Sequence, residues 1–220
     1  MGNFAADVEG DEMSTLTKKN SSSLPNNGSS RLRAKGSRQF SSADAMLTIE
    51  DWQALSDTKP PYELLEGKLV QKMTTTSDHA WAAGQFLIAL ANWGQEKGWK
   101  FFPEGMGYKA DENNGFVPDV VGFSPSQKVL PSVTYMSTPF VAVEVLSPAT
   151  AKRDRSRKRE FYAIGGVQLY VIIDTGNRTL EIFRLEENRY SAPEVLGGKD
   201  VWQPQELPGL KLELKNLWMN

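Results

Sequence analysis

The segment PFVAVEVLSPAT, residues 139–150, carries a single carboxylate, Glu144, within an otherwise apolar run. Residues 140–146 are β-branched and aromatic enough to predict a strand. Their apolar side chains do not alternate with polar ones, which predicts a strand that is covered on both faces. An ionised carboxylate in such a place is costly unless a cation or hydrogen-bond donors meet it. The partner could be an arginine, a ring of backbone N–H groups or a metal ion.

A second carboxylate, Asp119, lies in the apolar segment VPDVVGF, residues 117–123. If two neighbouring strands each send one carboxylate to a shared face, the two charges repel, and a divalent cation between them makes the arrangement tolerable. Carboxylate oxygens favour Mg²⁺ or Mn²⁺ over zinc. The alternative is that Asp119 is a turn residue after Pro118 and that Glu144 pairs with an arginine.

Residues 152–159 read KRDRSRKR, with six cations around Asp154. A run of this kind is commonly a solvated helix face, but it is also suited to contacts with phosphates. Phosphate contacts contribute affinity for nucleic acid without sequence information.

Composition excludes several other kinds of site. The chain has 220 residues, a net charge of −2, no cysteine and one histidine, His79. Disulfides, cysteine nucleophiles, thiolate zinc sites and multi-histidine metal sites are therefore excluded, and a Ser-His-Asp triad has one candidate base. No apolar run approaches the roughly 18 residues that span a membrane, so we expect a cytoplasmic protein with no membrane partner.

The order of elements predicts an α/β fold with a mixed sheet. Residues 1–45 are poor in large apolar side chains and rich in Ser, Asn and Gly, which predicts a disordered tail before a domain at 46–220. The domain should open with a short helix capped by Thr48 and Asp51, followed by a hairpin that turns at Gly67. The remaining predicted elements are a helix at 78–98, strands at 99–110, 115–123 and 140–146, a helix at 151–164, strands at 167–174 and 179–185, and a C-terminal hairpin.

Several of these segments together resemble the Uma-two family, which belongs to the PD-(D/E)XK nuclease superfamily. The resemblance rests on YELLEG, His79, VPDVVGF, VEVLSPAT, the series Asp154, Lys158 and Tyr162, and the strand segment YVIID, and it covers residues 47–218. It implies a restriction-endonuclease-like core, a mixed β-sheet flanked by helices with extra β-hairpins. It also implies Mg²⁺- or Mn²⁺-dependent hydrolysis of a DNA phosphodiester.

The resemblance also assigns roles to individual residues. Asp119 and Glu144 would be catalytic metal ligands, helped by the backbone carbonyl of Val145. Glu63 would be a further ligand or would orient water; the alternative is a surface carboxylate at a strand end. His79, at the start of a helix, would point into the cleft or be merely structural.

One position departs from the family pattern, because Leu146 stands where the third signature residue, a lysine, is expected. The resemblance implies that the lysine has moved to the following helix, and Lys158 is the best candidate. Asp154, Lys158 and Tyr162 fall on one helical face. The alternative is that Asp154 and Lys158 form an ordinary helix ion pair.

These interpretations predict a metal-dependent endodeoxyribonuclease in which Lys158 positions or deprotonates the attacking water. Arg153, Arg155 and Arg157 would contact phosphates of DNA, and His79 would also bind the substrate. The enzyme would act as a homodimer. One alternative is a catalytically inactive nuclease-fold module that binds nucleic acid or a protein. Another is a glycosidase that uses Glu63 and Glu144 and needs no metal.

Overall fold

The computed structural model describes residues 46–55, 61–72, 75–130 and 135–219, the last range with residues 135–136 by backbone only. It also describes the backbone of two short strands, β1 (Leu32–Arg33) and β2 (Gln39–Phe40), which pair antiparallel. The rest of the segment predicted to be a disordered tail lies outside the described residues.

The helices and strands of the domain follow the apolar runs of the sequence. The helical segments are α1 (Ile49–Gln53), α2 (Ser77–Gly94), α3 (Ala151–Arg153), a π-helical segment (Asp154–Lys158), α4 (Arg159–Ile164), and two 3₁₀ turns at Gln95–Lys97 and Leu214–Leu217. The strands are β3 (Tyr62–Leu65), β4 (Lys68–Gln71), β5 (Lys100–Pro103), β6 (Gly107–Lys109), β7 (Gly115–Phe116), β8 (Val120–Phe123), β9 (Tyr135–Met136), β10 (Val141–Val145), β11 (Leu169–Asp174), β12 (Thr179–Glu186), β13 (Arg189–Tyr190), β14 (Glu194–Gly197), β15 (Val201–Trp202) and β16 (Leu212–Glu213).

The main sheet has the order β13-β12-β11-β10-β8-β5, and β14 pairs with β12 as well. Strand β10 runs parallel to β11 and antiparallel to β8, so the predicted mixed sheet is confirmed. All residues of β10 and β11 are buried. The strand that carries Glu144 therefore lies in the middle of the sheet.

Helices cover the main sheet on both faces, which explains why the apolar residues of β10 do not alternate with polar ones. Helix α2 packs Phe86 and Leu90 into one core cluster together with Val143. The three segments α3, π and α4, together helix 151–164, place Tyr162 in a second cluster with Ala142. Because side chains of a strand alternate between faces, Glu144 points toward helix 151–164.

A second sheet, β4-β3-β7-β6-β9, carries the hairpin that was predicted around Gly67. Helix α1 begins with the expected capping box between Thr48 and Asp51, and it buries Ile49 and Trp52 in a cluster with Leu64. The main sheet and this second sheet share no described strand pairing.

Two segments that were each expected to form one strand form two. Residues 99–110 divide into β5 and β6, which belong to different sheets, because the chain turns at Gly105 with a φ of 119°. Residues 115–123 divide into β7 and β8, and the break contains Pro118, which has no N–H for a strand ladder. The paired strands β11 and β12, joined through residues 175–178, agree with the prediction.

The C-terminal segment was expected to add a single hairpin, but its strands join different partners. Strand β14 extends the main sheet beside β12, whereas β15 pairs with β16. Among the described residues no helix is long and apolar enough to cross a bilayer.

Candidate active site

The partner of buried Glu144 is a lysine on helix 151–164. Glu144 Oε1 accepts hydrogen bonds from Lys158 Nζ at 2.8 Å and from the Tyr162 hydroxyl at 2.7 Å. Lys158 Nζ also donates to Glu63 Oε1 at 2.9 Å, and the lysine is fully buried. The ammonium group thus lies between two carboxylates, one from β10 and one from β3.

Helix 151–164 supplies the lysine that the family pattern places at position 146, where this chain has a leucine. Leu146 lies on the same face of its strand as Glu144 and packs into the apolar cluster that contains Tyr162. Lys158 ends the π-helical segment, and its ammonium is 3.7 Å from Asp154 Oδ1. The pair Asp154 and Lys158 is therefore one edge of a larger buried cluster, not an isolated helix ion pair.

Asp119 lies beside Glu144 because β8 pairs with β10. The Asp119 N–H donates to the Val143 carbonyl at 3.0 Å, which extends the strand ladder by one residue. Asp119 Oδ2 accepts the Val145 N–H at 2.7 Å and lies 3.2 Å from His79 Nε2. The structure thus brings Asp119, Glu144, Val145 and His79 together.

Lys72 is a site residue that the sequence analysis missed. Its ammonium donates to Asp119 Oδ1 at 2.9 Å and to the Val117 carbonyl at 2.6 Å, and it pairs with Glu104 at 2.8 Å. The predicted hairpin already indicated that Lys72 lies near Glu63. Glu63 pairs with Val70 across the turn, so a residue two positions beyond Val70 lies on the same face as Glu63.

Glu63 lies behind Lys158 and does not line the pocket. Its Oε1 also accepts the Val117 N–H at 3.1 Å, and its Oε2 is 3.6 Å from the Arg153 guanidinium. This position favours a role in holding Lys158 over a role as a metal ligand.

The three arginines that were expected to face DNA together point in different directions. Arg153 lines the pocket. Arg155 pairs with Asp174 and Glu181 of the neighbouring strands, and Arg157 is exposed and lies 3.2 Å from Glu160. Carboxylates of β11 and β12 thus hold the Arg155 guanidinium, and its contact with DNA stays a prediction. Arg157 is likewise absent from the residues that line the pocket.

The pocket is small and rich in charge. Its volume is about 30 Å³, enough for one or two water molecules or an ion. It is lined by Lys72, Thr75, His79, Asp119, Glu144, Val145, Ser147, Thr150, Arg153, Asp154 and Lys158. With Glu63 and Glu104 added, five carboxyl groups face the three fixed cations Lys72, Arg153 and Lys158, an excess of two negative charges when all five are ionised and His79 is neutral.

The two central carboxyl groups have opposite pKa shifts. Burial raises the pKa of Glu144 to about 8, opposed by the ammonium of Lys158 and reinforced by the charge of Asp119. Burial also acts to raise the pKa of Asp119, but Lys72 and His79 outweigh it and hold this pKa well below its usual range. Because this pKa already includes the effect of Lys158, a further cation such as a metal ion is needed to keep Glu144 ionised at neutral pH.

The basic groups of the pocket keep their protons. Burial opposes the charge of Lys158, but the carboxylates of Glu144 and Glu63 outweigh burial and raise the pKa of Lys158 well above its ordinary value. The pKa of Lys72 is raised in the same way, mainly by Asp119 against burial. Burial lowers and Asp119 raises the pKa of His79, with a net rise.

The donor chemistry of the pocket fits a hard divalent cation. Asp119 and Glu144 offer carboxylate oxygens, and within the described residues Glu144 Oε2 makes no hydrogen bond. The two excess negative charges match one divalent cation. No group of three or more His, Asp or Glu side chains in the described part of the chain is arranged as a metal site, so water would complete the coordination, as is usual for Mg²⁺.

Comparison with known proteins identifies the family of the chain and a structure with a similar fold. Residues 30–215 match the model of the Uma2 family, the Uma-two family of the sequence analysis, described as "Putative restriction endonuclease". The fold is similar to a crystal structure described as "a putative nuclease belonging to DUF820" from Anabaena variabilis ATCC 29413. The TM-score is 0.67 at 19% identity, over 78% of this chain and 97% of that one. No curated protein matches the chain.

The fold is thus the restriction-endonuclease-like one that the resemblance implied, a mixed sheet flanked by helices. The family match spans the site described above, from the β3–β4 hairpin through helix 151–164. This chain belongs to the Uma2 family.

Proposed function

We propose that this protein is a metal-dependent endonuclease that hydrolyses phosphodiester bonds of DNA. The observation that carries the proposal is the position of Lys158 Nζ, 2.8 Å from Glu144 and 2.9 Å from Glu63, in a pocket that Asp119 also lines. The superfamily resemblance implies a site made of Asp119, Glu144 and a lysine. In this chain a helix supplies the lysine, Lys158. The family description and the structural relative support the same class of activity.

Asp119 and Glu144 would hold Mg²⁺ or Mn²⁺, with the backbone carbonyl of Val145. The ion would supply Lewis-acid polarisation of a phosphoryl oxygen and a lower pKa for water. Because the pKa of Lys158 is raised, its ammonium balances charge on the scissile phosphate and orients water. Proton removal by Lys158, one of the two roles expected from the sequence, is disfavoured for the same reason.

One other cation at the pocket is suited to a phosphate of the substrate. The Arg153 side chain lines the pocket and is 21% exposed. Lys72, by contrast, forms an ion pair with Asp119. Arg153 would contact a flanking phosphate, which contributes affinity without sequence information.

The test is cleavage of plasmid and oligonucleotide DNA with Mg²⁺, with Mn²⁺ and with EDTA. The wild type should cut only with a metal, and Asp119→Asn, Glu144→Gln and Lys158→Met should each lose about 100-fold or more in rate. Lys215→Met, which removes an exposed lysine that does not line the pocket, is the matched control and should cut at the wild-type rate.

Melting curves separate loss of chemistry from loss of metal or fold. Added Mg²⁺ should raise the melting temperature of the wild type and of Lys158→Met, because an ion that binds the folded state stabilises it. The rise should vanish in Asp119→Asn. Wild-type cleavage by Lys158→Met would contradict the role of Lys158, and an equal Mg²⁺ rise in Asp119→Asn would contradict the metal site.

One observation favours a second candidate, a module that binds nucleic acid or a protein without cutting. Lys72 and Lys158 already neutralise the two central carboxylates in the absence of a metal. Metal binding by the wild type with no cleavage of any DNA would select this candidate. The glycosidase alternative has less support, because Glu63 lies behind Lys158 and does not line the pocket.

A further inference from the structure

An apolar groove runs along helix α2 from the mouth of the candidate active site. We name it the α2 groove; its volume is about 210 Å³. Thr75, His79 and Asp119 line both the groove and the charged pocket, so the two are continuous. Beyond these shared residues the groove is lined mainly by Ala80, Ala83, Gly84, Leu87, Pro103 and Val120.

The groove and the pocket differ sharply in charge. Among the described residues no lysine or arginine lines the groove, and Glu104 joins His79 and Asp119 as its charged groups. The pocket beside it is lined by Lys72, Arg153 and Lys158. Of the two, the pocket is the one that offers cations to a phosphate, together with carboxylates that can hold a divalent cation, whereas the uncharged part of a nucleotide is favoured in the groove.

The size of the groove limits what can occupy it. Pockets that enclose drug-sized ligands have volumes of roughly 300–1,000 Å³. A groove of about 210 Å³ has room for one planar base against Leu87 and Pro103, but not for a base pair. A base can enter only if it is out of the helical stack, and this costs least where the base is unpaired.

We propose that the α2 groove is a subsite for one unpaired nucleobase beside the scissile phosphate. The preferred substrate would then be single-stranded DNA or duplex DNA with a bulged or mismatched base. This inference rests on the proposed nuclease function and adds the class of DNA on which the site acts.

Gly84 allows a direct test. Apart from its own helix backbone and chain neighbours, a Cβ atom at this position would meet no heavy atom of the described residues within 4 Å, so a larger side chain can extend into the groove. Gly84→Phe should fill the groove and leave the fold intact, because glycine is a poor helix former. Ile88→Phe places the same ring on the same helix at a position that is 51% exposed and outside the groove, and it is the matched control.

The experiment uses three oligonucleotides of one sequence: a single strand, a perfect duplex and a duplex with a one-base bulge. Each carries 2-aminopurine at the central base. In EDTA, wild type and Ile88→Phe should change the fluorescence of the single strand and of the bulge, and Gly84→Phe should not. With Mg²⁺, the wild type should cut these two substrates at least tenfold faster than the perfect duplex, and Gly84→Phe should lose that preference. Its Mg²⁺-induced rise in melting temperature should be retained.

The outcomes separate this inference from the proposed function. Faster cleavage of the perfect duplex, or cleavage of the bulge by Gly84→Phe at the wild-type rate, would overturn the subsite. So would the lack of a fluorescence response in the wild type, with or without cleavage. A fluorescence response that Gly84→Phe abolishes, with no cleavage of any substrate by the wild type, would support the subsite and contradict the nuclease.

Discussion

At the scale of single residues, two lysines from different elements make the burial of two carboxylates tolerable. Lys72 follows β4 and binds Asp119, and Lys158 of helix 151–164 binds Glu144. Removing one partner of a buried ion pair leaves an uncompensated charge, which typically costs about 3–5 kcal/mol of stability. A metal ion can supply the missing positive charge.

Lys72→Met should therefore lower the free energy of unfolding by about 3–5 kcal/mol in EDTA, because Asp119 loses its ammonium partner. Added Mg²⁺ should raise the melting temperature of Lys72→Met by more than that of the wild type. Lys109→Met removes a lysine that is 44% exposed and should change stability by less than about 0.5 kcal/mol. Equal Mg²⁺ effects in Lys72→Met and the wild type would show that the ion does not replace Lys72.

The stability contribution of His79 should depend on pH. The pKa of His79 is raised in the folded protein, so its protonated form is stabilised by folding. This contribution is fully present below the unfolded pKa of about 6.5 and is lost as the pH rises through the folded pKa. The difference in melting temperature between wild type and His79→Gln, measured without metal, should be larger at pH 6 than at pH 9. Other groups titrate in both proteins, so their effects cancel in this difference. A difference that does not change with pH would mean that Asp119 does not stabilise the protonated form of His79.

At the scale of elements, a glycine in β8 leaves room for a side chain of the neighbouring strand β5. Gly122 of β8 is opposite Val141 of β10 and Phe101 of β5. A Cβ atom on Gly122 would lie 2.5 Å from a ring atom of Phe101 and 3.4 Å from Val141 Cβ. The missing side chain lets Phe101 cover the strand that leads from Asp119.

Gly122→Ala should lower the free energy of unfolding by about 1–3 kcal/mol, because the added methyl group overpacks the sheet. Gly84→Ala is the matched control, since its Cβ meets nothing within 4 Å, and it should be neutral or stabilising. Chemical denaturation of both variants measures the difference. A Gly122→Ala variant as stable as the wild type would show that Phe101 moves aside at no cost.

At the scale of the whole molecule, helix α1 is the first helix of the described residues. Ile49 and Trp52 of this helix are buried, and the Trp52 indole N–H donates to the Tyr62 carbonyl at 2.7 Å. The composition of residues 1–45 predicts little contribution to the core. A homodimer in solution and a cytoplasmic location stay predictions at this scale.

Deletion of residues 1–45 should leave the melting temperature and any cleavage activity nearly unchanged. Deletion of residues 1–55 also removes Ile49 and Trp52 and should lower the melting temperature by many degrees, since each large buried side chain contributes several kcal/mol. A loss of several degrees on the shorter deletion would show that the tail packs on the domain.

The sequence by itself determined the class of fold and the two central carboxylates. Apolar runs of β10 and β11, the helical spacing of α2 and the hairpin at Gly67 are local patterns, and local patterns predict elements well. The presence of Glu144 in an apolar strand also required a partner, because an unpaired buried charge is too costly.

The tertiary structure decided which residue forms an ion pair with each buried charged group. Lys158 meets Glu63 across 95 residues of chain, and Arg155 is captured by Glu181 although its neighbours in sequence suggested DNA. Periodicity gives the face on which a side chain lies, but not which face of another element packs against it. The register of the hairpin could have indicated Lys72, yet its contact with Asp119 depends on how the hairpin lies beside β8. Ion pairs between distant segments are therefore set by packing, which only the folded chain defines.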